Sequence, residues 1–96
     1  MNSFKWSRGL TLDKDPDAVE VYRWDFSQWL DGEVISSAQA IAEAPLVATV
    51  DSFTSTTVDV RVSGGQVGKR LGVTCRVTSS NNRVQDRTIY FRIREL

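Results

Sequence analysis

In the C-terminal half of the chain, apolar and polar residues change places at nearly every step, and this alternation leaves few folds open. Val58, Val60 and Val62 fall on one side of a segment whose other side carries Asp59 and Arg61. Leu71, Val73, Cys75 and Val77 alternate with Thr74, Arg76 and Thr78, and Ile89, Phe91 and Ile93 alternate with Tyr90, Arg92 and Arg94. Successive side chains of an extended chain point to opposite faces, so each segment reads as a strand with one buried and one solvated side. One-sided burial is the habit of antiparallel sheets, whereas parallel βαβ strands are covered on both faces.

Turn chemistry separates the segments. Ser52 to Ser55, the loop from Gly64-Gly65 to Gly68-Lys69, and Asn81-Asn82 supply residues that accept turn geometry and positive φ. Upstream, Ala18 to Phe26 is rich in β-branched and aromatic residues (Val19, Val21, Tyr22, Trp24, Phe26). Glu33 to Ala42 reads as a second strand, although Ala38, Ala40 and Ala42 also tolerate helix, and Glu43-Ala44-Pro45 ends it because proline removes a ladder donor. Leu46 to Phe53 is a third. Between the first two, Ser27 stands where an N-cap would, predicting a single helical turn over Gln28-Trp29-Leu30 that tucks Trp29 and Leu30 beneath the sheet before Asp31-Gly32. About six or seven short strands, with turns every 8–12 residues or so, predict an all-β antiparallel sandwich over residues 18–96.

Residues 1–17 are organised differently. Phe4, Trp6, Leu10 and Leu12 share one parity, as on one side of an extended strand, and Asp13-Lys14-Asp15-Pro16-Asp17 breaks the run. The pattern suits either the first strand of the sandwich or an extended arm that docks on a neighbour.

Ninety-six residues provide for one core and no second catalytic lobe. Twelve basic and twelve acidic side chains cancel, so the chain offers no strong overall field to nucleic acid or to an anionic membrane, and neither is expected as a partner. The charges are uneven along the chain: residues 1–48 carry four basic and eight acidic groups, and residues 49–96 carry eight and four. Such polarity would favour head-to-tail contact between copies, or docking of each end on a different partner. The lone cysteine, Cys75, makes no internal disulfide, and no apolar run approaches the roughly 20 residues of a membrane span. The N-terminus lacks a signal-peptide core, so synthesis in a cytoplasm is expected.

Catalysis finds little support. The chain has no histidine, the commonest general base. Cys75 alternates with core residues and reads as a small buried hydrophobe. Gly64-Gly65-Gln66-Val67-Gly68-Lys69-Arg70 superficially resembles a phosphate loop but lacks the hydroxyl after the lysine and the following helix. Asp13, Asp15 and Asp17 have the alternate spacing that opens a calcium loop, yet Ala18 and Trp24 occupy the positions of its glycine and closing glutamate. No cofactor, metal or catalytic residue is therefore assigned. Nine of the twelve basic residues are arginine, and Arg76, Arg87, Arg92 and Arg94 are read as outward, with Tyr90 among them, a composition suited to a protein interface.

Three segments carry a family resemblance: Lys14-Asp15-Pro16-Asp17-Ala18-Val19, Asp25-Phe26-Ser27-Gln28-Trp29-Leu30, and Gly32-Glu33-Val34-Ile35-Ser36-Ser37. With the strand-turn-strand of Thr56 to Ile93, they resemble small virion proteins of tailed bacteriophages, the fibre-tail adaptors and related neck and tail components. Phe26 stands where that pattern has tryptophan, and residues 1–13 lie outside it. The resemblance implies an immunoglobulin-like (fibronectin III-like) sandwich of about seven strands and no enzymatic activity. It also implies a virion protein, present in multiple copies in a ring, that joins tail or neck proteins to fibres or to adjacent ring proteins. Phe4, Trp6, Leu10 and Leu12, with Tyr90, Arg92 and Arg94, are the expected partner-binding residues, since a few large apolar or forked side chains dominate interfaces. Two other roles stay open: a capsid decoration or cement protein, and a carbohydrate-binding module that reads the host surface through Trp6, Trp24 or Trp29.

Overall fold

From residue 18 onward the alternating segments become strands close to their expected limits. The run from Phe4 to Leu12 is not one strand, and Asp13-Lys14, expected to break it, lie in a strand over Thr11–Lys14. The computed structural model describes residues 2–96, with side chains from Phe4 onward. In chain order the strands are β1 (Asn2–Ser3), β2 (Thr11–Lys14), β3 (Glu20–Asp25), β4 (Ile35–Ala42), β5 (Leu46–Phe53), β6 (Thr57–Gly64), β7 (Arg70–Ser79) and β8 (Val84–Ile93), with one helical turn, α1 (Ser27–Leu30), between β3 and β4. They form two four-stranded sheets, ordered β1-β3-β6-β5 and β2-β8-β7-β4. The fold is an all-β sandwich.

The core is where the apolar parities meet. Val58, Val60 and Val62 of β6 have no exposed surface, nor have Val73, Cys75 and Val77 of β7 or Ile89, Phe91 and Ile93 of β8. Burying each such side chain contributes roughly 1.5–3 kcal/mol for the larger ones. Aromatics of β3 tie one sheet to the other. Tyr22 meets Phe91 edge-on at 4.9 Å, and the buried Trp24 indole donates its Nε1–H to the Arg87 carbonyl at 3.0 Å. Leu30, at the end of α1, is fully buried, and Trp29 packs half-buried beside it, edge-on to Phe26 at 6.4 Å.

Some local details depart from expectation. The N-cap of α1 is Phe26, not Ser27, and no side chain caps it. The Asp25 carboxylate reaches forward to accept the Ser27 N–H at 2.9 Å, so the chain enters the helix one residue earlier. Asp59, expected on a solvated face, is only 7% exposed because the Arg23 fork closes over it, with Nε to Oδ1 at 2.8 Å. Two pairings are parallel in a sandwich otherwise built from antiparallel ones: β1 along β3 and β2 along β8. The N-terminal segment runs beside β3, turns at Ser7–Leu10, and then follows β8, so it contributes to both sheets.

Lys14 explains how that segment is fastened. It shares the inward parity of Leu12, is 1% exposed, and donates from Nζ to the Gly64 carbonyl at 2.7 Å and the Asp15 carbonyl at 2.9 Å. Because β2 and β6 belong to opposite sheets, the ammonium staples the two layers at this end.

The charge asymmetry along the chain does not become two charged ends. Each half supplies strands to both sheets, and ion pairs such as Arg23–Asp59, Arg83–Glu33 and Arg94–Asp13 join the halves.

Burial lowers the pKa of Lys14, with Asp15, Asp17 and Glu20 pulling it back up. The unfolded chain therefore holds this proton more tightly than the native protein, and the buried charge opposes folding below the lowered native value. That opposition fades as pH rises from there towards 10.5, the ordinary lysine value. Urea unfolding across this window should show wild type gaining stability relative to Lys14→Met; a difference that stays flat or shrinks would contradict the buried-charge assignment.

Candidate functional site

Pairing of β2 with β8 sets Leu10 and Leu12 beside Tyr90, Arg92 and Arg94 at one margin of the second sheet, while Phe4 and Trp6 pack elsewhere, beside Trp24 and Arg87. In register, Thr11 faces Tyr90, Leu12 faces Phe91, Asp13 faces Arg92 and Lys14 faces Ile93. Phe4, Trp6, Leu10 and Leu12 pack half-buried against the domain's own core. The Phe4 ring stands edge-on to Trp24 at 5.8 Å, and the Trp6 indole donates to the Thr88 carbonyl at 3.0 Å. Tyr90 is half-buried on the outward face, and Arg92 and Arg94 are exposed there.

The outward face of β7 and β8 is a ladder of charged and hydroxyl side chains. Arg76 forks onto Asp86 at 2.8 and 2.9 Å, which holds that carboxyl below the usual range. Thr74 and Thr88 share a hydrogen bond of 2.7 Å. At the other end, Arg70 and Arg92 stand directly opposite each other. The Arg70 guanidinium turns aside to lie 3.8 Å over the Tyr90 ring and donates from Nε to Thr11 Oγ1 at 3.2 Å. Arg94 takes the carboxylate of Asp13 at 3.3 Å. Among the described residues no carboxylate bonds to Arg92.

Beside Tyr90 lies a shallow depression of about 220 Å³, with Ile41, Thr74 and Thr88 on its walls and Gly72 in its floor. The neighbours approach Gly72 closely, so a larger residue would need them to shift by a few tenths of an ångström. A Cβ would stand 3.0 Å from Glu43 Oε1 and 3.1 Å from Thr88 Cγ2, and the Glu43 carboxylate accepts the Gly72 N–H at 2.6 Å.

Arg87 is not an outward arginine. It shares the parity of Ile89 and Phe91, and its guanidinium lies between the rings of Trp6 and Phe26, at 5.0 and 4.9 Å from their centroids. One terminal nitrogen donates to the Asp25 carbonyl at 2.8 Å, while the buried Nε has no partner among the described residues. Burial lowers its pKa, opposed by the nearby Asp25 charge. It floors a cleft of about 530 Å³ between the N-terminal segment and the β3–α1 corner.

The features weighed as chemistry are structural. Asp13 is held by Arg94, and Asp15 accepts the N–H groups of Asp17 and Leu96 at 2.9 and 3.1 Å, so the alternating carboxylates do not converge. Asp15 is correspondingly held below the usual carboxylate range, chiefly by the Asp17 N–H. No group of three potential metal ligands occurs among the described residues. The Gly64–Lys69 stretch leads into β7, not into a helix. Cys75 is buried, and desolvation pushes its thiol up to about 12. Of the indoles, Trp24 is fully buried, Trp6 carries Arg87 over its ring, and Trp29 carries Arg83 at 4.4 Å.

A family model described as Podophage GP4 fiber-tail adaptor protein gp77 matches residues 14–92, nearly the whole sandwich. The chain belongs to this fibre-tail adaptor family. No curated protein matches it. The family is one of structural phage proteins, which makes this a structural component of the virion. The matched span opens at Lys14, the residue that staples the two sheets, and ends within β8, leaving residues 1–13 outside. The adaptor-family segment Asp25 to Leu30 is the corner formed by the Asp25 turn and α1.

Sequence reasoning overlooked Arg70 as a site residue, because only the β7–β8 register sets it opposite Arg92. It could have found Arg87, whose inward parity with Ile89 is plain in the sequence.

The thiol of Cys75 serves as a reporter of this packing. In native protein near pH 8 it should label with an aromatic disulfide reagent at least about a hundredfold more slowly than in urea-unfolded protein, since only the thiolate reacts. Labelling at equal rates would mean that the face-to-face core opens readily.

Proposed function

We propose that this chain is a non-enzymatic adaptor that joins the tail or neck of the phage particle to its fibres or to adjacent ring proteins. The observation that carries the reading is the family match across residues 14–92, which spans both sheets and not one motif. The cytoplasm of the host is the site of synthesis, and several copies act together in a ring. Contacts run along the margin where β2 meets β8: Tyr90, Arg92 and Arg94 present outward groups, and Leu10 and Leu12 present what their half-burial leaves uncovered, as Phe4 and Trp6 do beyond that margin.

We also read the sandwich as immunoglobulin-like. In such domains strands A, B, E and D form one sheet, and C, F and G form the other. The orders β3-β6-β5 and β8-β7-β4 fit B-E-D and G-F-C, and β1 and β2 lie outside β3 and β8. The hairpins β5–β6 and β7–β8 agree with that assignment.

The adaptor reading is favoured over sugar binding by the indoles. Carbohydrate modules present open aromatic faces, whereas Trp24 has none and the other two rings each carry a guanidinium. A decoration protein would coat the shell in far more copies, so counting copies per particle separates the two roles.

Two double variants test the contact margin. Arg92→Ala/Arg94→Ala removes exposed groups, so stability should stay within about 0.5 kcal/mol of wild type while incorporation into particles falls. Leu10→Ala/Leu12→Ala removes half-buried packing and should cost about 1–4 kcal/mol in unfolding experiments. Normal incorporation of the folded arginine variant would remove this margin as the contact.

A further inference from the structure

Among the described residues most outward arginines are answered by acids, and Arg8, Arg70 and Arg92 are not. Arg23, Arg61, Arg76, Arg83 and Arg94 each hold a carboxylate at 2.8 to 3.3 Å. Arg92 holds none among the described residues, although Asp13 stands across from it in register, because that carboxylate turns to Arg94. On its other side Arg92 faces Arg70, a second arginine without an acid. Like charges directly opposite across a ladder are destabilising, so this pairing works against the sheet that carries it. Arg70, Arg92 and Arg94 thus share a single carboxylate at one end of an outward face, leaving a local excess of positive charge in a chain whose total charge is zero.

The same face continues towards the depression beside Tyr90. Ile41, 45% exposed, stands at its edge, and the Thr74–Thr88 hydroxyl pair lines it. From the Arg92 row to the Thr88 row is four residues, roughly 13 Å along the strand. The surface therefore offers forked donors at one end and, at the other, a small recess of mixed lining, with Ile41 and Ala42 beside Glu43 and the threonine hydroxyls.

We infer that this face of β7 and β8 docks an extended acidic segment of a partner protein, whose carboxylates engage Arg92 and Arg70 while an apolar side chain enters the recess beside Tyr90. The inference rests on the partner-contact reading of Tyr90 and Arg92 and adds to it the chemistry of the partner. Forked pairing of guanidinium with carboxylate suits both arginines, and an incoming acid would relieve their mutual repulsion. Nucleic acid fits less well. Single strands are held by stacking bases on open aromatic rings, and the Tyr90 ring is covered by Arg70 at 3.8 Å.

The test is a titration of the ¹⁵N-labelled full chain, followed by amide shifts, with a hexapeptide of glutamate and aspartate bearing one central phenylalanine. Its glutamine/asparagine counterpart, oligothymidylate and inorganic phosphate form the other arms. The acidic peptide should give saturable shifts centred on residues 70–74 and 88–92. Binding should weaken about tenfold or more with the amide peptide, in high salt, and in Arg70→Gln/Arg92→Gln. Arg92→Gln alone breaks no side-chain hydrogen bond or ion pair among the described residues, and it should weaken binding in the same direction even if the double variant fails to fold. Absence of saturable shifts, or equal affinity of the arginine variants, overturns the inference. So does tighter binding of oligothymidylate, or phosphate shifts matching those of the peptide, which would mean an adventitious ion only. Particle incorporation is measured separately, so failure here leaves the adaptor role standing, and loss of that role leaves this binding face testable.

Discussion

Everything in this domain depends on two apolar strips closing against each other. Val58, Val60 and Val62 come from one sheet, and Val73, Cys75, Val77, Ile89, Phe91 and Ile93 from the other, with none exposed to solvent. β-Branched side chains stand stiffly on a pleated surface, so they interlock without losing much rotamer freedom. The hydrogen-bonded ladders hold each layer flat enough for that contact. The contact in turn makes the ladders worth forming in a chain too short to bury more than about two-thirds of its surface.

A sandwich built this way has open sides, and one of them carries the proposed contact margin. The N-terminal segment crosses it, pairing first with β3 and then with β8, and Lys14 anchors its end through the Gly64 carbonyl. A buried ammonium whose hydrogen bonds among the described residues go to carbonyls, with carboxylates nearby but not bonded to it, is an unusual fastening, since desolvation works against the charge. The geometry shows what it secures: two layers joined where β2 ends and β6 ends, beside the strand that carries Tyr90, Arg92 and Arg94. The structural closure and the proposed contact margin are thus one region. Substitutions there must be read for stability and for docking together, and the half-buried leucines are separable from the exposed arginines on that ground.

The electrostatics follow the topology more than the composition. Charges that segregate along the chain are mixed in space because each half supplies strands to both sheets. What survives as a local field is small and specific. It comes from the Arg70–Arg92 register and from Asp13 choosing Arg94, and neither depends on net charge. For an adaptor that meets defined neighbours, a short-range forked pattern of this kind suits specificity better than a broad potential would.

The amino-acid sequence by itself determined the strands from β3 to β8, the inward residues of β6, β7 and β8, the helical turn at Trp29-Leu30 and the absence of histidine chemistry. These follow from period-two burial and local turn preferences, which are written in neighbouring residues. Arg87, expected outward, is a misreading of the pattern: its parity with Ile89 carried the inward signal, and its place between Trp6 and Phe26 came only from the structure. Other features needed the tertiary structure: the parallel pairings of the N-terminal segment, the staple from Lys14 to Gly64, the Arg23 cover over Asp59, and the opposition of Arg70 and Arg92. Each joins residues distant in the chain through strand order and register. Alternation specifies which face a side chain occupies but carries no information about which strand will lie beside it, and that is settled only when the two layers close.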